Sequence, residues 1–577
     1  DAFQSCNLNA LTLPESLEAI GSYAFFGNRS LKSVNIPAKV KTIESYAFAS
    51  CGLTDLVIPE GVQAIGNYAF GWNSLQNLTL PSTITSIGES VFYDNYYLQL
   101  IICNAATPPT LGDNAFDNDI TPSIKVPLQS IAAYRQAVGW KNFANYYGGE
   151  VVADGITYRI DDNGAMVAAA ETSLTEANIP SVVEFEGNQY LVTKINDMLF
   201  LDNTNLTVVA LPESLTTLGI RTFEGCKSLK TIKIPSKVTA IPDRCFVYCS
   251  SLESVIIPEG VTTIGSYAFQ SCKLNALTLP ESLETIGSYA FSFCDLTDLV
   301  IPEGVQTIDN YAFEYNSLQN LTLPSTITSI GDEAFRYNSD FQSIICNAAT
   351  PPTLGDNAFR SNISIKVPMA SIVAYRQAEG WKNFTNYYGG EVIADGITYR
   401  IDENDAMVAA AEATLTEANI PSSVEFEGNQ YPVIKINDEV FSGNTNLTSV
   451  TLPESLTTLG DRAFYTCKSL KTIKIPSGVT AIPDYCFNHC LSLESVTIPE
   501  GVTTIGDGAF FGCNLKELTL PSTVTMIEIG AFLSNNRCQS ITCNATTPPN
   551  LGENVFGYNA STTVKVPLQS IAAYRQA

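Results

Sequence analysis

LESVTIPEGVTTIGDGAFFGCNL, residues 493–515, is one turn of a pattern that recurs along the whole chain. Leu493, Val496 and Ile498 alternate with polar residues, the period of a half-buried strand. Pro499 closes that strand, because proline brings no N–H to a ladder, and Glu500-Gly501 turns the chain. Val502 and Ile505 form a second short apolar pair, and Gly506 turns the chain again. Ala509 and Phe510 then enter the core before Cys513 ends the coil. One such coil buries too few apolar residues to be stable alone, so copies must stack.

Outward from this stretch, a phenylalanine, usually after alanine, marks twenty copies spaced 22–24 residues apart. They run from Phe3 to Phe116, from Phe200 to Phe359 and from Phe441 to Phe556. Such a period predicts a solenoid, mainly β, of about twenty parallel-strand coils with short helical or 3-10 turns. Three residues after the phenylalanine stands Cys in nine copies, Asn in ten and Asp119 in one. A position that accepts Cys (Cys51, Cys226, Cys513) or Asn (Asn28, Asn73, Asn316) needs a small side chain that hydrogen-bonds backbone at a tight bend. Disulfides would not tolerate Asn there, so these cysteines are expected to be buried free thiols, and Cys245 and Cys486 small core residues.

A longer repeat lies above the coils. ADGITYRI occurs at residues 153–160 and again at 394–401, and each copy leads into an alternating stretch, 183–195 and 424–436, that reads as a hairpin. Cys103, Cys346 and Cys543 begin copies of CNA(A/T)TPP, each followed by V-P-x-x-S-I-x-A-Y-R-Q-A. In the first copy Ser130 reads as the N-cap of a short helix, with Ile131 and Tyr134 on one face and Trp140 and Phe143 packing it down. These pieces predict caps, which divide the chain into three tandem arrays: 1–149, 150–390 and 391–577. The first lacks its head and the third its final Gly-Trp-Lys-Asn-Phe, so the sequence reads as a piece of a longer protein.

The repeat resembles the leucine-rich repeat superfamily, and more closely its BspA-like class of bacterial surface repeats. The Pro, Gly, Ala-Phe and Cys/Asn positions carry that resemblance in register. It implies a parallel-strand leucine-rich repeat solenoid, a secreted or bacterial cell-surface location, and adhesion to host matrix proteins, host cell-surface proteins or other bacterial cells.

Composition narrows the partners. Net charge is −27, from 58 acidic against 31 basic residues, which disfavours nucleic acid and anionic lipid because phosphate contacts need clustered Lys and Arg. No apolar run approaches the roughly 18 residues of a membrane span. No metal set, cofactor motif or catalytic constellation emerges, so the chain reads as a non-enzyme. The sole histidine, His489, sits inside a coil beside the ladder residue Cys490. Asp161-Asp162-Asn163-Gly164 reads as a polar hairpin turn rather than a calcium loop, since its copy at Asp402 ends in Asp405 without the glycine.

Three surface features remain as binding candidates. The outward strand position reads Ala210, Lys233, Ile256, Thr278, Val300 and Thr322, a run of mostly small and β-branched residues that predicts a fairly flat sheet. A tyrosine column precedes Ala-Phe at Tyr23, Tyr46 and Tyr68 and again at Tyr267, Tyr289 and Tyr311. Tyrosine offers amphipathic contact area at small entropic cost. An aromatic slot before the Cys/Asn position holds Trp72, Tyr248, Phe293, Tyr315 and Tyr337. The expected function is adhesion through a repeated surface, gaining avidity from many weak contacts. Glycan binding by the aromatic columns, in a polysaccharide-utilising bacterium, is the alternative.

Overall fold

Alternating side chains, a proline stop and two glycine turns leave each coil only two short strands. In the coil quoted above these are Ser495–Thr497 and Thr504–Ile505. The first pairs in parallel with Thr472–Lys474 of the preceding coil. The second pairs in parallel with Ala481–Ile482 behind it and Met526–Ile527 ahead. Leu493, Val496, Ile498, Val502, Ile505 and Phe510 are all buried, as their spacing predicts. Gly501 turns at φ 107, where an L side chain would be strained.

The computed structural model describes residues 2–117, 119–274, 277–341, 343–360, 363–557 and 562–576. The fold is a parallel-strand solenoid of about 23 turns with 6% helix. Its contacts group into two compact units: residues 1–297, 307–317 and 333–337, and residues 298–306, 318–332 and 338–577.

Within each unit the phenylalanines stack into a core ladder. Centroids of Phe223, Phe246 and Phe269 follow one another at 5.2 and 5.1 Å, and those of Phe464, Phe487 and Phe510 at 5.2 Å. Near-parallel planes at this spacing give offset stacking, and each fully buried phenyl ring contributes about 1.5–3 kcal/mol through burial alone.

The backbone around that ladder is neither helix nor strand. Tyr267 and Ser271, two residues either side of Phe269, are both left-handed, at φ 60 and φ 58. A right-handed run here would wind into helix and keep its amides inside the coil. Left-handed residues break that run, and the amides of Tyr267, Phe269 and Ser271 reach Ser288, Ala290 and Ser292 carbonyls of the next coil at 2.7, 2.8 and 2.9 Å. The conformation costs a non-glycine residue about 1–2 kcal/mol. The slot of Ser271 accordingly holds glycine in other coils, at Gly27, Gly225, Gly443 and Gly512.

The Cys/Asn position closes the bend as expected. Cys226, Cys249 and Cys272 thiols donate to the carbonyls of Phe200, Phe223 and Phe246 of the preceding coil, at 3.2, 3.0 and 3.1 Å. Asn73 does more: its amide donates to Phe48 and Phe70 carbonyls at 3.0 Å each and its oxygen accepts the Leu53 amide at 3.1 Å. Every cysteine is a free thiol, and Cys245 and Cys486 are buried.

The end pieces are built as read, with one correction. Strand Ser123–Lys125, helix Ile131–Gln136 and strand Asn145–Tyr147 follow the first array, and Trp140 is fully buried with its indole N–H on the Pro109 carbonyl at 2.9 Å. Ile131 and Tyr134 face inward, and the Tyr134 hydroxyl donates to the Ala105 carbonyl at 2.8 Å. Ser130 does not cap the helix. A 3-10 turn over Leu128–Ser130 leads into it, and the buried Ser130 hydroxyl donates to the Ala106 carbonyl at 2.7 Å. The same pieces recur around Ile372–Gln377. The third copy reaches Gln576, and its last residue, Ala577, lies outside the described residues.

Beyond each Tyr-Tyr strand the chain forms a five-stranded sheet. Its antiparallel strands Ile156–Asp161 and Gly164–Ala170 turn at Asp161 to Gly164, and its hairpin Val182–Phe185 with Asn188–Ile195 leads into the next coil. The second copy is Gly390–Ala394 through Asn429–Ile436. Among the described residues no helix is long and apolar enough to cross a membrane, and no group of His, Cys, Asp or Glu could hold a metal ion.

Replacing Ser271 by Val should destabilise the coils around it by about 1–2 kcal/mol relative to Ser271→Gly, because only glycine adopts φ 58 without penalty. Denaturant unfolding of the two variants measures the gap, and equal midpoints would contradict it.

Candidate functional site

The tyrosine columns are real and continuous. Tyr23, Tyr46 and Tyr68 stack at 4.7 and 4.9 Å with planes within 8°. Tyr267, Tyr289 and Tyr311 stack at 4.8 and 4.5 Å. All six are left-handed, with φ between 57 and 60. Each is thus the residue that breaks the helical run before Ala-Phe, and the same geometry that directs its amide to the next coil swings its ring onto the surface. Burial, then the neighbouring Tyr23 and Tyr68, push the Tyr46 phenol above its usual pKa. Burial and the flanking Tyr311 and Tyr267 act in the same direction on Tyr289.

The aromatic slot forms a second, more exposed stack beside the first. Phe293, Tyr315 and Tyr337 follow one another at 4.4 and 4.3 Å, and the Arg336 guanidinium lies 4.5 Å from the Tyr337 centroid. Tyr315 remains 43% exposed despite neighbours on both faces. In the first array the slot residue Trp72 stacks on Tyr68 of the tyrosine column at 5.6 Å and meets Tyr93 edge-on. Tyr248 is exposed in the same slot.

The strand positions fare differently. Lys233 and Ile256 lie opposite each other on paired strands, Ile256 58% exposed and Lys233 bonded to Glu213 at 2.6 Å. Ala210 belongs to a separate two-stranded pair with Glu176–Asn178. Thr278 is exposed. In the second unit Val300, 75% exposed, is bridged in parallel to Thr322.

A continuous cross-strand row runs through the first array, exposed at Val57 and closing on the buried Tyr147. In the first array Val57, Thr79, Ile102, Lys125 and Tyr147 are successive cross-strand partners. The stretches 123–127 and 145–151, which recur in the second array, carry the last two members.

Cysteine chemistry has no footing in this geometry. The Cys490 thiol donates to the Phe464 carbonyl at 3.2 Å, and burial pushes its pKa well above the usual value. His489 turns away from it, onto Asn488 and the Phe511 ring.

A family model, the BspA type leucine-rich repeat region with six copies, matches residues 1–122, 170–294, 262–373, 411–542 and 480–574. The chain belongs to the BspA-type leucine-rich repeat family. Among solved structures it is similar to a leucine-rich cell-surface protein of Faecalibacterium prausnitzii, at 26% identity over 68% of this chain and 94% of that one, with a TM-score of 0.33. It is also similar to a leucine-rich repeat protein of Bacteroides ovatus, at 20% identity over 72% and 99%, TM-score 0.35. The pneumococcal vaccine antigen PcpA matches at 17% identity over 74% and 96%, TM-score 0.29. No curated protein matches the chain. BspA-type repeats of this fold are typically non-enzymatic binding scaffolds.

Burial raises the Cys51 thiol to about 11 and the Cys467 and Cys513 thiols to about 12, from an ordinary 9.0. The folded state then holds these protons more tightly than the unfolded chain. Stability is therefore fully present below pH 9 and falls as pH rises from about 9 through 12. Unfolding midpoints followed by circular dichroism should be level up to about pH 9 and decline above it. Midpoints that hold steady to pH 11 would contradict the buried-thiol ladder.

Proposed function

We propose that this chain is a cell-surface adhesion module that engages a host matrix protein, a host cell-surface protein or another bacterial cell through its stacked tyrosine columns. Family membership supports the coarse reading, a repeat module for protein interaction at the surface. The cell-surface description of the Faecalibacterium protein supports the location.

One observation carries the assignment to the columns: rings exposed at their edges while their faces are covered. Spacings of 4.5–4.9 Å leave no room for a ligand between rings. A sugar needs a free aromatic face to stack upon, and these faces are taken by neighbouring rings. A protein partner needs only rigid, amphipathic edges with hydroxyls in line, which preformed stacks present at little entropic cost. Repetition along two arrays then adds avidity.

Immobilised fibrillar matrix proteins and whole host cells are the first partners to test. Tyr289→Ala interrupts the column of Tyr267, Tyr289 and Tyr311 and should weaken a saturable interaction by roughly tenfold or more, chiefly through faster dissociation. Tyr289→Phe keeps the stack and should retain most of the affinity. Binding indifferent to Tyr289→Ala, or absent across matrix proteins, cells and partner bacteria, would remove the reading.

A further inference from the structure

Past Tyr147 the chain enters a second sheet, one of whose arginines returns to the Tyr147 ring. The Arg159 guanidinium lies over the Tyr147 ring, 4.4 Å from its centroid, and the Lys125 ammonium stands 6.0 Å from the same centroid. Arg159 is opposite Met166, Met166 opposite Lys194, and Lys194 bridged to Thr217. Tyr147, Arg159, Met166, Lys194 and Thr217 line a single cleft of about 260 Å³. Arg159 and Lys194 therefore stand on alternate strands of one sheet, with Glu150 opposite Arg159 on its other side, and Lys125 approaches the same Tyr147 ring from the sheet before it.

Their bonding separates anchors from free charges. Arg159 is fixed by Glu150 at 3.0 Å and the Ser123 hydroxyl at 2.8 Å. Arg135, also lining the cleft, is paired with Asp161 and Asp162. Lys125 and Lys194 make no ion pair among the described residues. Neutral hydrogen-bonding groups, Asn145, Thr216 and Thr217, fill in between. In a chain with 58 acidic against 31 basic residues, such a line of cations is against the average.

The same line is built a second time, in the second unit. Lys366 pairs with Tyr388, and Arg400 lies 4.4 Å over that ring. Arg400 is opposite Met407, Met407 opposite Lys435, and Lys435 bridged to Thr458. Every residue of the row is the same type in both copies. The cleft wall is not: Gly164 and Thr193 of the first copy correspond to Asp405 and Ile434 of the second.

Alternate strands are about 10 Å apart, and that interval decides what fits. A nucleic-acid strand places a charge about every 3.4 Å of axis, far denser than the row. An extended acidic peptide repeats its same-side carboxylates about every 7 Å. A glycan with one uronic acid per disaccharide spaces its carboxylates at the interval of the row, and offers hydroxyls to the asparagine and threonines between. We propose that each row binds a linear acidic polysaccharide of the uronic-acid type, with carboxylates on the two lysines that make no ion pair and on the outer edge of the arginine that Glu150 and Ser123 hold in place between them. The site is separate from the tyrosine columns and does not rest on the adhesion reading.

The test titrates the full chain with hyaluronan hexasaccharide, in which glucuronate alternates with a neutral sugar, and with cellohexaose as the uncharged control. The hexasaccharide should bind saturably at low salt and more weakly at high salt, and cellohexaose should not bind. Lys194→Ala with Lys435→Ala should weaken hexasaccharide binding roughly tenfold or more, each lost charge-assisted contact accounting for about that factor. Lys125→Ala with Lys366→Ala gives an independent pair of variants, and circular dichroism checks the fold of both. Tyr289→Ala should leave hexasaccharide binding unchanged, so this site and the tyrosine columns fail separately. No saturable binding, equal binding of cellohexaose, or affinity untouched in both folded lysine variants would overturn the proposal.

Discussion

Each repeat phenylalanine is tied to its neighbours by its own peptide group as well as its ring. The Phe48 amide donates to the Ala69 carbonyl of the next coil at 2.8 Å, and the Phe48 carbonyl accepts from Asn73 at 3.0 Å. Phe464 and Phe487 repeat the arrangement, with amides on Cys486 and Ala509 and with Cys490 and Cys513 thiols on their carbonyls. A buried amide without a partner is costly, so a lone coil cannot close. The next coil must be present, and must carry a small donor three residues after its own phenylalanine. Short strands, left-handed bends and the Cys/Asn alternation all follow from this requirement.

Much of the scaffold was legible because it repeats. Phe510 is buried, Gly501 is at a turn and Cys513 bonds backbone, each as its recurrence in register implies. Cysteine in place of asparagine ruled out disulfides before any geometry was known. The function of the left-handed slots was not legible, because Tyr267 and Arg244 occupy them as readily as Ser90 and Gly508, and side-chain type does not report φ. Ser130 misled for a related reason. A serine caps a helix from an extended backbone, where its oxygen can accept an amide of the first turn, and Ser130, ending a 3-10 turn at φ -98 and ψ -9, is already helical.

The surfaces were harder to read than the core. Strand positions such as Lys233 and Ile256 point outward as alternation demands, yet whether outward residues form one sheet depends on pairing over three-residue strands. The tyrosine columns were visible as a period, but the covering of each ring face by its neighbours was not, because stacking depends on the left-handed φ of each tyrosine. The basic rows were missed altogether. Lys125, Arg159 and Lys194 lie 34 or 35 residues apart in sequence and meet only because a cap strand and a hairpin sheet stand side by side. Their sole sequence trace was exact recurrence as Lys366, Arg400 and Lys435.

The central claim is that the stretch around each phenylalanine, irregular in shape, is held as firmly as a sheet by bonds to the next coil. Native-state hydrogen exchange at Phe269 and Phe291 measures it directly. Both amides should be strongly protected and share one opening free energy, because each coil opens only with its neighbour. Exchange at the rate of an exposed surface turn, or protection that differs widely between the two, would contradict the account.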